Sequence, residues 1–310
     1  MQTGKRSHHM LDEILEEPSA LRETFTAVAD KCRESASKLT QGKPDLIYFS
    51  GSGTSYHAAV AAQYLMASLS TKATNSIPAS EFDAWVRTPS GRGNVLIAIS
   101  QSGESIDVLT ALRTAKKRGI SSVAITNTTK SSMVREADYA LVTQAGPEKA
   151  VTATKTFVCC LAAAYLLSLE LMEASGSFSS TQEELSSLRR QLRQSPKILQ
   201  QTIENSKDQA MTLADRFRSC SLFFLLGRGA NYATALEGAL KLKESCNVMA
   251  EGHAAREFLH GPMQLVDENS LVITVSTRAD SESIGPLTQS FRRLGAPIMH
   301  ISDAAPGEPT

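Results

Sequence analysis

The sequence predicts an α/β protein in which two doubly wound parallel-sheet modules follow one another after a helical N-terminal segment. Short apolar runs alternate with helix-forming segments, which is typical of strands buried on both faces of a parallel sheet. A strand followed by a Gly-x-Gly turn and a helix occurs at Gly51–Gly53 and again at Gly227–Gly229. The length of 310 residues also exceeds one average domain.

The first half of the chain supplies the elements of one module. A helix is expected from Leu11 to about Leu39, after a loose polar arm at Met1 to Met10. A second helix is expected over Ile106 to Arg118. Four apolar, β-rich runs are predicted to be strands: Leu46–Phe49, Val95–Ile99, Ser122–Thr126 and Tyr139–Val142.

A long helical stretch is predicted from Thr152 to about Phe217. It contains the longest apolar run of the sequence, Phe157 to Leu169, which is too short to cross a bilayer and predicts a buried helix. Breaks are expected near Ser175–Ser177, where a glycine lies, and at Pro196, because a proline inside a helix lacks an N–H donor.

The pattern of strands and helices then restarts. Strands are predicted at Leu222–Leu226, Leu271–Val275 and Pro297–Ile301. A helix is expected from about Asn231, after the first of these strands. Because three strands make a small sheet, the second module is expected to be short at its C-terminus. Either the chain is truncated, or the second module packs against a partner subunit. The predicted boundaries are 1–40 for the arm and helix, 41–175 for the first module, 176–218 for a helical linker and 219–310 for the second module.

The composition is that of a globular chain without a strong net charge. Hydrophobic residues make up 42% of the chain and charged residues 21%, which argues against disorder. The 32 basic and 32 acidic residues balance, so neither nucleic acid nor an anionic membrane is an expected partner. The N-terminus lacks the apolar core of a secretory signal, and the five cysteines show no CxxC spacing, so a cytoplasmic location is expected.

Two loops rich in serine and glycine are predicted to bind a phosphate group. Ser50–Ser55 lies between a strand and a helix expected to begin near Tyr56, and Ser100–Ser105 follows the next clear strand. Glycines let the backbone approach an oxyanion closely, and hydroxyls add donors without adding charge. Both loops are expected at the carboxyl ends of parallel strands, where ligands bind. The alternative for the first loop is a tight turn with a serine helix cap.

Neither loop matches a nucleotide-binding fingerprint. Tyr56 replaces the third glycine of the dinucleotide pattern, and no Gly-Lys-Ser/Thr follows as in a P-loop. A neutral cradle for a phosphomonoester is therefore the preferred interpretation of the two loops.

The second half of the chain holds candidates for proton-transfer chemistry. Lys241 and Glu244 are three residues apart on one predicted helix, so they share a face, and the ammonium could hold the carboxylate ionised. The alternative is a surface ion pair. His260 lies on a turn before Gly261-Pro262, with a structural histidine as the alternative. No metal site is predicted, because three nearby side chains lack tight ligand spacing: Glu251, His253 and Glu257.

Motifs in both halves resemble the SIS (sugar isomerase) domain family. The phosphosugar-binding loops of that family are matched by Gly51-Ser52-Gly53-Thr54-Ser55, Ser100-Gln101-Ser102-Gly103-Glu104-Ser105 and Ala153-Thr154-Lys155. The second half is similar to the isomerase half of glucosamine-6-phosphate synthases and to stand-alone relatives that deaminate glucosamine-6-phosphate. That similarity lies in Gly227-Arg228-Gly229, Ala235–Glu244 and His260-Gly261-Pro262. The resemblance extends from about Glu13 to about Ile301.

The resemblance implies a role for each matching residue. Phosphate contacts are assigned to Ser55, Ser100, Gln101, Ser102 and Ser105, and sugar contacts to Ser52, Thr54 and Val151. Glu244 would move a proton between C1 and C2 of the sugar, with Lys241 close to it. His260 would open the sugar ring, donated by the neighbouring subunit of a homodimer.

The sequence departs from the family pattern at three places. Because only a short segment precedes Leu11, no glutaminase domain is expected in this sequence, and because Lys243 is its last lysine, no counterpart of the family's tail lysine is expected. Ala153 stands where the family has a serine that contacts the sugar. These departures favour a stand-alone amino-sugar phosphate enzyme over a synthase.

The expected function is that of a phosphosugar aldose–ketose isomerase and deaminase, which converts glucosamine-6-phosphate to fructose-6-phosphate and ammonia without glutamine. Ring opening, proton transfer and water attack on an imine require no cofactor. The expected partners are a small phosphosugar and a second copy of the chain. Four alternatives stay open: the isomerase portion of a glutamine–fructose-6-phosphate aminotransferase, a fructosamine-6-phosphate deglycase, a plain isomerase and a non-catalytic phosphosugar sensor.

Overall fold

The computed structural model describes residues 8–87 and 93–303. The chain divides into two compact units, unit 1 up to Glu204 and unit 2 from Asn205 onwards. Most of the predicted N-terminal arm, residues 1–7, lies outside the described residues.

Unit 1 is built around a parallel sheet that follows one long helix. The first helix, α1, covers His9–Thr40 and begins two residues before the predicted start at Leu11. In chain order the next elements are β1 Leu46–Gly51, α2 Thr54–Leu69, β2 Ala73–Pro78, α3 Phe82–Trp85, β3 Val95–Ile99, α4 Ile106–Lys117, β4 Ser121–Thr126, α5 Ser132–Glu136, β5 Tyr139–Val142 and α6 Lys155–Ala174. Over the described residues of this unit, the sheet has five parallel strands in the order β2-β1-β3-β4-β5.

The apolar strands are buried on both faces, as the sequence predicts. On one face Phe49 and Ile97 pack into a core with the buried sides of α1, α2 and α6. On the other face Leu96 and Ala98 pack with residues of α4 such as Leu112. Alternate side chains of one strand point to opposite faces of a sheet, so a strand covered on both sides needs a continuous apolar run.

The edge strand β2 was not predicted from the sequence. Its residues are mostly polar or half-buried, and Ile77 is the fully buried side chain among them. A strand at the edge of a sheet does not need an apolar side chain at every position, so hydrophobic pattern does not reveal it.

Helix α6 carries the longest apolar run and lies in the core of unit 1, which confirms the predicted buried helix. It is 20 residues long, and by length and composition alone it could cross a membrane. Of its most apolar 18-residue window, 67% is buried within the protein. Core helices of soluble proteins pass the same test, so the length of α6 is weak evidence for a membrane span.

Helix α7 covers Gln182–Arg216 and runs through Pro196, so the predicted break at that residue is wrong. The predicted break near Ser175–Ser177 is confirmed, because α6 ends at Ala174. Pro196 cannot donate to the carbonyl of Leu192, four residues earlier. The hydroxyl of Ser195 donates a hydrogen bond of 2.7 Å to that carbonyl oxygen instead. The helix therefore continues with the orphaned acceptor satisfied.

Unit 2 repeats the same architecture on a smaller scale. Its elements are β6 Leu222–Gly227, α8 Ala230–Cys246, β7 Met249–Ala254, β8 Ser270–Ser276, α9 Ser281–Arg293 and β9 Ile298–Ser302. Between Asn205 and Asp303 these strands form a four-stranded parallel sheet in the order β7-β6-β8-β9. The sequence predicted three strands, and the missing one, β7, is again an edge strand with polar residues such as Glu251.

The two units share the turn that follows their first strand. Gly53 has φ 54° and ψ −126°, and Gly229 has φ 57° and ψ −133°, a conformation open to glycine. A Cβ atom on Gly51 would lie 2.6 Å from the backbone of Ser55, and one on Gly227 would lie 2.0 Å from the carbonyl oxygen of Asn231. The strand orders also correspond, so the predicted duplication of one α/β module is confirmed.

Candidate functional site

The first serine-rich loop of unit 1 joins β1 to α2 at the carboxyl edge of the sheet. Helix α2 begins at Thr54, two residues earlier than predicted. The backbone N–H of Ser55 donates to the carbonyl of Ser52 at 3.1 Å, and that of Tyr56 donates to the carbonyl of Gly53 at 2.9 Å. The tight turn therefore presents the first turn of α2, with its positive dipole end, at the edge where ligands bind.

The second loop joins β3 to α4 at the same edge. Ser100 is buried, and its hydroxyl accepts a hydrogen bond of 3.2 Å from the N–H of Gly103. The exposed hydroxyl of Ser102 accepts a 3.2 Å bond from the N–H of Glu104. Ser105 is the residue that precedes the first turn of α4. These two bonds shape the loop. In each of them the serine hydroxyl is the acceptor, so the bonds do not use the hydroxyl protons of Ser100 and Ser102.

The carbonyl of Gln101 is held by several donors. The N–H of Asn127 donates to it at 3.0 Å and the hydroxyl of Thr126 at 3.1 Å. These bonds fix the backbone of Gln101 against the end of β4. They therefore also fix the position from which the Gln101 side chain extends.

The two loops and the start of α6 enclose a small pocket of about 50 Å³. Three residues predicted to contact substrate, Thr54, Ser55 and Gln101, line it. Its remaining lining residues are Ala58, Ala153, Thr156, Phe157 and Cys160. The pocket thus combines hydroxyl and amide groups from the two loops with an apolar wall.

Other predicted residues lie on the same loops but do not line this pocket. Ser100, Ser102 and Ser105 belong to the second loop, and Ser52 is exposed in the first. Val151, on the segment before α6, is 90% exposed. Roles for these residues remain predictions from the family resemblance.

The segment before α6 is held by carboxylates that the sequence analysis did not single out. Glu148 accepts hydrogen bonds from the N–H and the hydroxyl of Thr154, at 2.6 and 2.9 Å, and from the hydroxyl of Thr156. Glu13 of α1 accepts hydrogen bonds from the backbone N–H groups of Lys149 and Ala150. No motif or periodicity marks either glutamate, because their partners are mostly backbone groups of one loop.

A further buried acid, Glu17, lies near this segment. It is 8% exposed, and burial together with the neighbouring Glu148 carboxylate raises its pKa to about 7. The folded protein therefore favours the neutral form of Glu17.

Lys241 of α8 in unit 2 lies between two carboxylates. Its Nζ is 2.9 Å from Oε2 of Glu244 and 3.0 Å from Oε1 of Glu237. The Lys241 and Glu237 side chains are 17% and 7% exposed, whereas that of Glu244 is 30% exposed. The predicted pairing of Lys241 with Glu244 is present, and most of the Lys241 side chain is removed from solvent.

The sequence analysis missed Glu237. Its spacing of four residues before Lys241 and seven before Glu244 is the spacing of one helix face, so the pattern could have revealed it. Glu237 holds the ammonium from the more buried side, and the Glu244 carboxylate is the more exposed of the two acids.

His260 is exposed on a turn between two short 3-10 segments, Glu257–Leu259 and Pro262–Leu265. Its backbone N–H donates to the carbonyl of Glu257 at 3.0 Å. Within residues 8–87 and 93–303, no ion pair joins His260 to Glu244. The structure thus brings two of the three predicted catalytic residues into contact and leaves the third on a separate surface turn.

His253 packs against an aromatic side chain and is partly buried. Its ring centroid lies 5.1 Å from that of Phe258, and burial lowers its pKa. No group of three or more potential metal-ligating side chains is found in the described part of the chain.

Comparison with known proteins decides the family of the chain. A family model described as the SIS domain matches residues 42–169 and 217–308, one segment in each half. The chain belongs to the SIS domain family.

Curated relatives of this SIS-domain chain include long aminotransferases. The isomerizing glutamine–fructose-6-phosphate aminotransferase of Mycolicibacterium smegmatis is 40% identical over 278 residues, which cover 88% of this chain and 44% of the relative. The chain thus spans about half the length of the curated relatives it matches.

Solved structures of other SIS proteins have the same fold. The C-terminal domain of glucosamine-fructose-6-phosphate aminotransferase from Francisella tularensis aligns with a TM-score of 0.88 and 29% identity, over 97% of this chain and 85% of that one. Glucosamine-6-phosphate deaminase from Thermotoga maritima aligns with a TM-score of 0.74 and 24% identity, over 95% and 85% of the two chains. At that identity, the second likeness supports the fold alone.

Proposed function

We propose that this SIS protein is a cytoplasmic aldose–ketose isomerase and deaminase of amino-sugar phosphates, which converts glucosamine-6-phosphate and water to fructose-6-phosphate and ammonia. The observation that carries this proposal is the arrangement of Lys241 between a buried carboxylate, Glu237, and a more exposed one, Glu244. Such an arrangement suits a base that must take a proton and return it to a neighbouring carbon.

The phosphate group of the substrate is assigned to the two serine-rich loops of unit 1. Ser55, Ser100, Gln101, Ser102 and Ser105 would donate hydrogen bonds to its oxygens. The first turn of α2 would add backbone donors and the positive end of the helix dipole. Because this cradle is built from neutral groups, it suits a ligand whose negative charge is concentrated in one phosphate.

The reaction begins when the sugar ring opens to give an aldehyde at C1 beside the amine at C2. Glu244 then removes the proton from C2 and returns it to C1. In the same conversion the amine nitrogen gives up one N–H proton and the aldehyde oxygen takes up one proton to become a hydroxyl, so the number of protons is unchanged. This leaves an imine at C2. Water adds to the imine carbon and ammonia leaves, which gives the ketone of fructose-6-phosphate. The atoms balance without an oxidant, a reductant or a cofactor.

Lys241 stabilises this proton transfer through charge. Its ammonium stabilises negative charge on Glu244 before the proton is taken. Because Glu237 shares the ammonium, Lys241 stays in place when Glu244 becomes neutral.

Ring opening is assigned to His260. Its exposed position on a surface turn is compatible with a role in the site of a neighbouring subunit. The proposal therefore includes a homodimer with shared sites, in which Ser52, Thr54 and Val151 contact the sugar.

A second candidate is the isomerase portion of a glutamine–fructose-6-phosphate aminotransferase. It is favoured by the 40% identity to a relative of that name, of which this chain covers 44%. The two candidates share the proton transfer and differ in the fate of nitrogen. An isomerase portion would interconvert glucosamine-6-phosphate and its ketimine, or fructose-6-phosphate and glucose-6-phosphate, without net release of ammonia.

The distinguishing experiment follows ammonia and fructose-6-phosphate together after glucosamine-6-phosphate is added to the purified chain. Equimolar release of both products is expected for the deaminase. Interconversion of hexose phosphates without ammonia would favour the second candidate. Absence of both activities would contradict the proposed function.

A further inference from the structure

Glu148 and Glu13 hold the segment Lys149–Thr156 at its two ends. Glu13 accepts hydrogen bonds from the backbone N–H groups of Lys149 and Ala150 at the first end. Glu148 accepts the three hydrogen bonds from Thr154 and Thr156 at the second end. The residues between the two anchors include Val151 and Ala153.

The anchored segment forms part of the pocket wall. Ala153 and Thr156 line the pocket together with Thr54, Ser55 and Gln101 of the two phosphate loops. Thr156 is 1% exposed, so its hydroxyl has no access to bulk water and depends on Glu148 as its acceptor. A shift of this segment would therefore change the pocket without changing the serine-rich loops.

The positive end of the α6 helix dipole and three hydrogen-bond donors favour a carboxylate at position 148. Thr154 immediately precedes α6, so the Glu148 carboxylate lies at the positive end of a 20-residue helix. Three donors converge on its two oxygens. A glutamine at this position would offer a single acceptor oxygen, and its NH₂ group would face donors, so at least one donor would lose its partner.

We propose that Glu148 is a positioning residue that holds the segment Lys149–Thr156 against the phosphate loops and thereby sets the affinity for the sugar part of the ligand. This inference rests on the proposed function, in which the segment contacts the sugar and the serine-rich loops contact the phosphate. Glu148 itself contacts the chain and not the ligand.

The test compares two ligands, glucosamine-6-phosphate and inorganic phosphate, in binding titrations with the full chain. In Glu148→Gln, the dissociation constant for glucosamine-6-phosphate is expected to rise about tenfold, as for loss of a hydrogen bond to a charged group. The dissociation constant for inorganic phosphate is expected to stay within about twofold.

A matched control is available in the same sheet. Asp138 accepts hydrogen bonds from the N–H and the hydroxyl of Ser122, at 2.7 and 2.9 Å, near the amino end of β4. Asp138→Asn makes the same chemical change at the opposite edge from the pocket. It is expected to lower stability while leaving the affinities for both ligands unchanged.

A second variant keeps the test decisive if Glu148→Gln fails to fold. Thr154→Val retains the shape of the side chain and removes one hydroxyl donor to Glu148, at a residue that is not among those lining the pocket. It is expected to weaken glucosamine-6-phosphate binding about threefold, with inorganic phosphate unaffected.

The outcomes separate this inference from the proposed function. If the unaltered chain binds glucosamine-6-phosphate and the variants bind it equally well, the positioning role is wrong and the proposed function stands. If the variants lose both ligands to the same extent, the positioning role is also wrong. If the unaltered chain fails to bind glucosamine-6-phosphate, the proposed function falls, and this inference with it.

Discussion

The ammonium of Lys241 lies 2.9 Å from the carboxylate of Glu244, one turn along the same helix. Exposed pairs at this spacing contribute only a few tenths of a kcal/mol. This pair differs because the Lys241 side chain is only 17% exposed and Glu237 holds its ammonium at 3.0 Å as well. The proposed function assigns to this lysine the task of holding the Glu244 carboxylate ionised.

Replacement of the proposed base should separate turnover from binding. Glu244→Gln keeps the size of the side chain but cannot take a proton. Turnover of glucosamine-6-phosphate should fall at least about 100-fold, whereas its dissociation constant should change less than about threefold. Steady-state kinetics and calorimetry measure the two effects. Glu251→Gln, which alters an exposed carboxylate of β7, serves as control, and unchanged turnover in Glu244→Gln would remove this residue from the mechanism.

Loss of a loop hydroxyl should weaken ligand binding. Ser102→Ala removes an exposed donor from the second serine-rich loop, and the affinity for glucosamine-6-phosphate should fall by about 1 kcal/mol, or roughly fivefold. The same loss should appear with inorganic phosphate, since the contact is assigned to the phosphate. Ser68→Ala removes an exposed hydroxyl from α2 and should change neither affinity. Normal affinity in Ser102→Ala would leave that hydroxyl with a purely structural role.

Glu17 should make stability depend on pH. Its pKa is raised from 4.5 to about 7 by burial, so the folded state retains a proton that the unfolded state has lost between these values. Stability should therefore fall as pH rises through this range and then level off. Glu17→Gln removes the penalty and should gain on the order of 3 kcal/mol, as an upper value, between pH 5 and pH 8 relative to the unaltered chain.

Denaturant unfolding at the two pH values measures this gain. Glu23→Gln, on the exposed side of α1, provides the control and should show no such difference. A gain for Glu17→Gln that is the same at both pH values would contradict the assignment.

The passage of α7 through Pro196 can be tested by a double-mutant cycle. Ser195→Ala removes the donor to the Leu192 carbonyl and should destabilise the chain by about 1 kcal/mol. In a Pro196→Ala background, the restored backbone N–H can serve this carbonyl, so the same serine change should cost much less. Equal costs in both backgrounds would show that the hydroxyl does not compensate for the proline.

The sequence predicted the central strands because burial on both faces demands continuous apolar runs, as in Val95–Ile99. It did not predict β2 and β7, since edge strands tolerate polar residues such as Ser76 and Glu251. Pro196 was misinterpreted because the compensating donor is a neighbouring side chain, whose rotamer is set by the fold.

Part of the candidate site could also be predicted from the sequence. The loops and the Lys241–Glu244 pair are local in sequence, so spacing alone places them on a turn or a helix face. Glu148 and Glu13 were missed because they act through hydrogen bonds to a loop, and one of them reaches it from a helix more than a hundred residues earlier. The contacts of Glu13 depend on tertiary structure and leave no local pattern, whereas those of Glu148 lie six and eight residues away, across an irregular loop that has no periodicity to reveal them.

The central claim, proton transfer between C1 and C2 of glucosamine-6-phosphate, can be tested most directly by proton NMR in D₂O. The purified chain is incubated with saturating ligand, and the signal of the proton on C2 is followed. The account predicts that this signal disappears as fructose-6-phosphate forms, and that Glu244→Gln preserves it. A signal that persists while the unaltered chain binds the ligand would contradict the account.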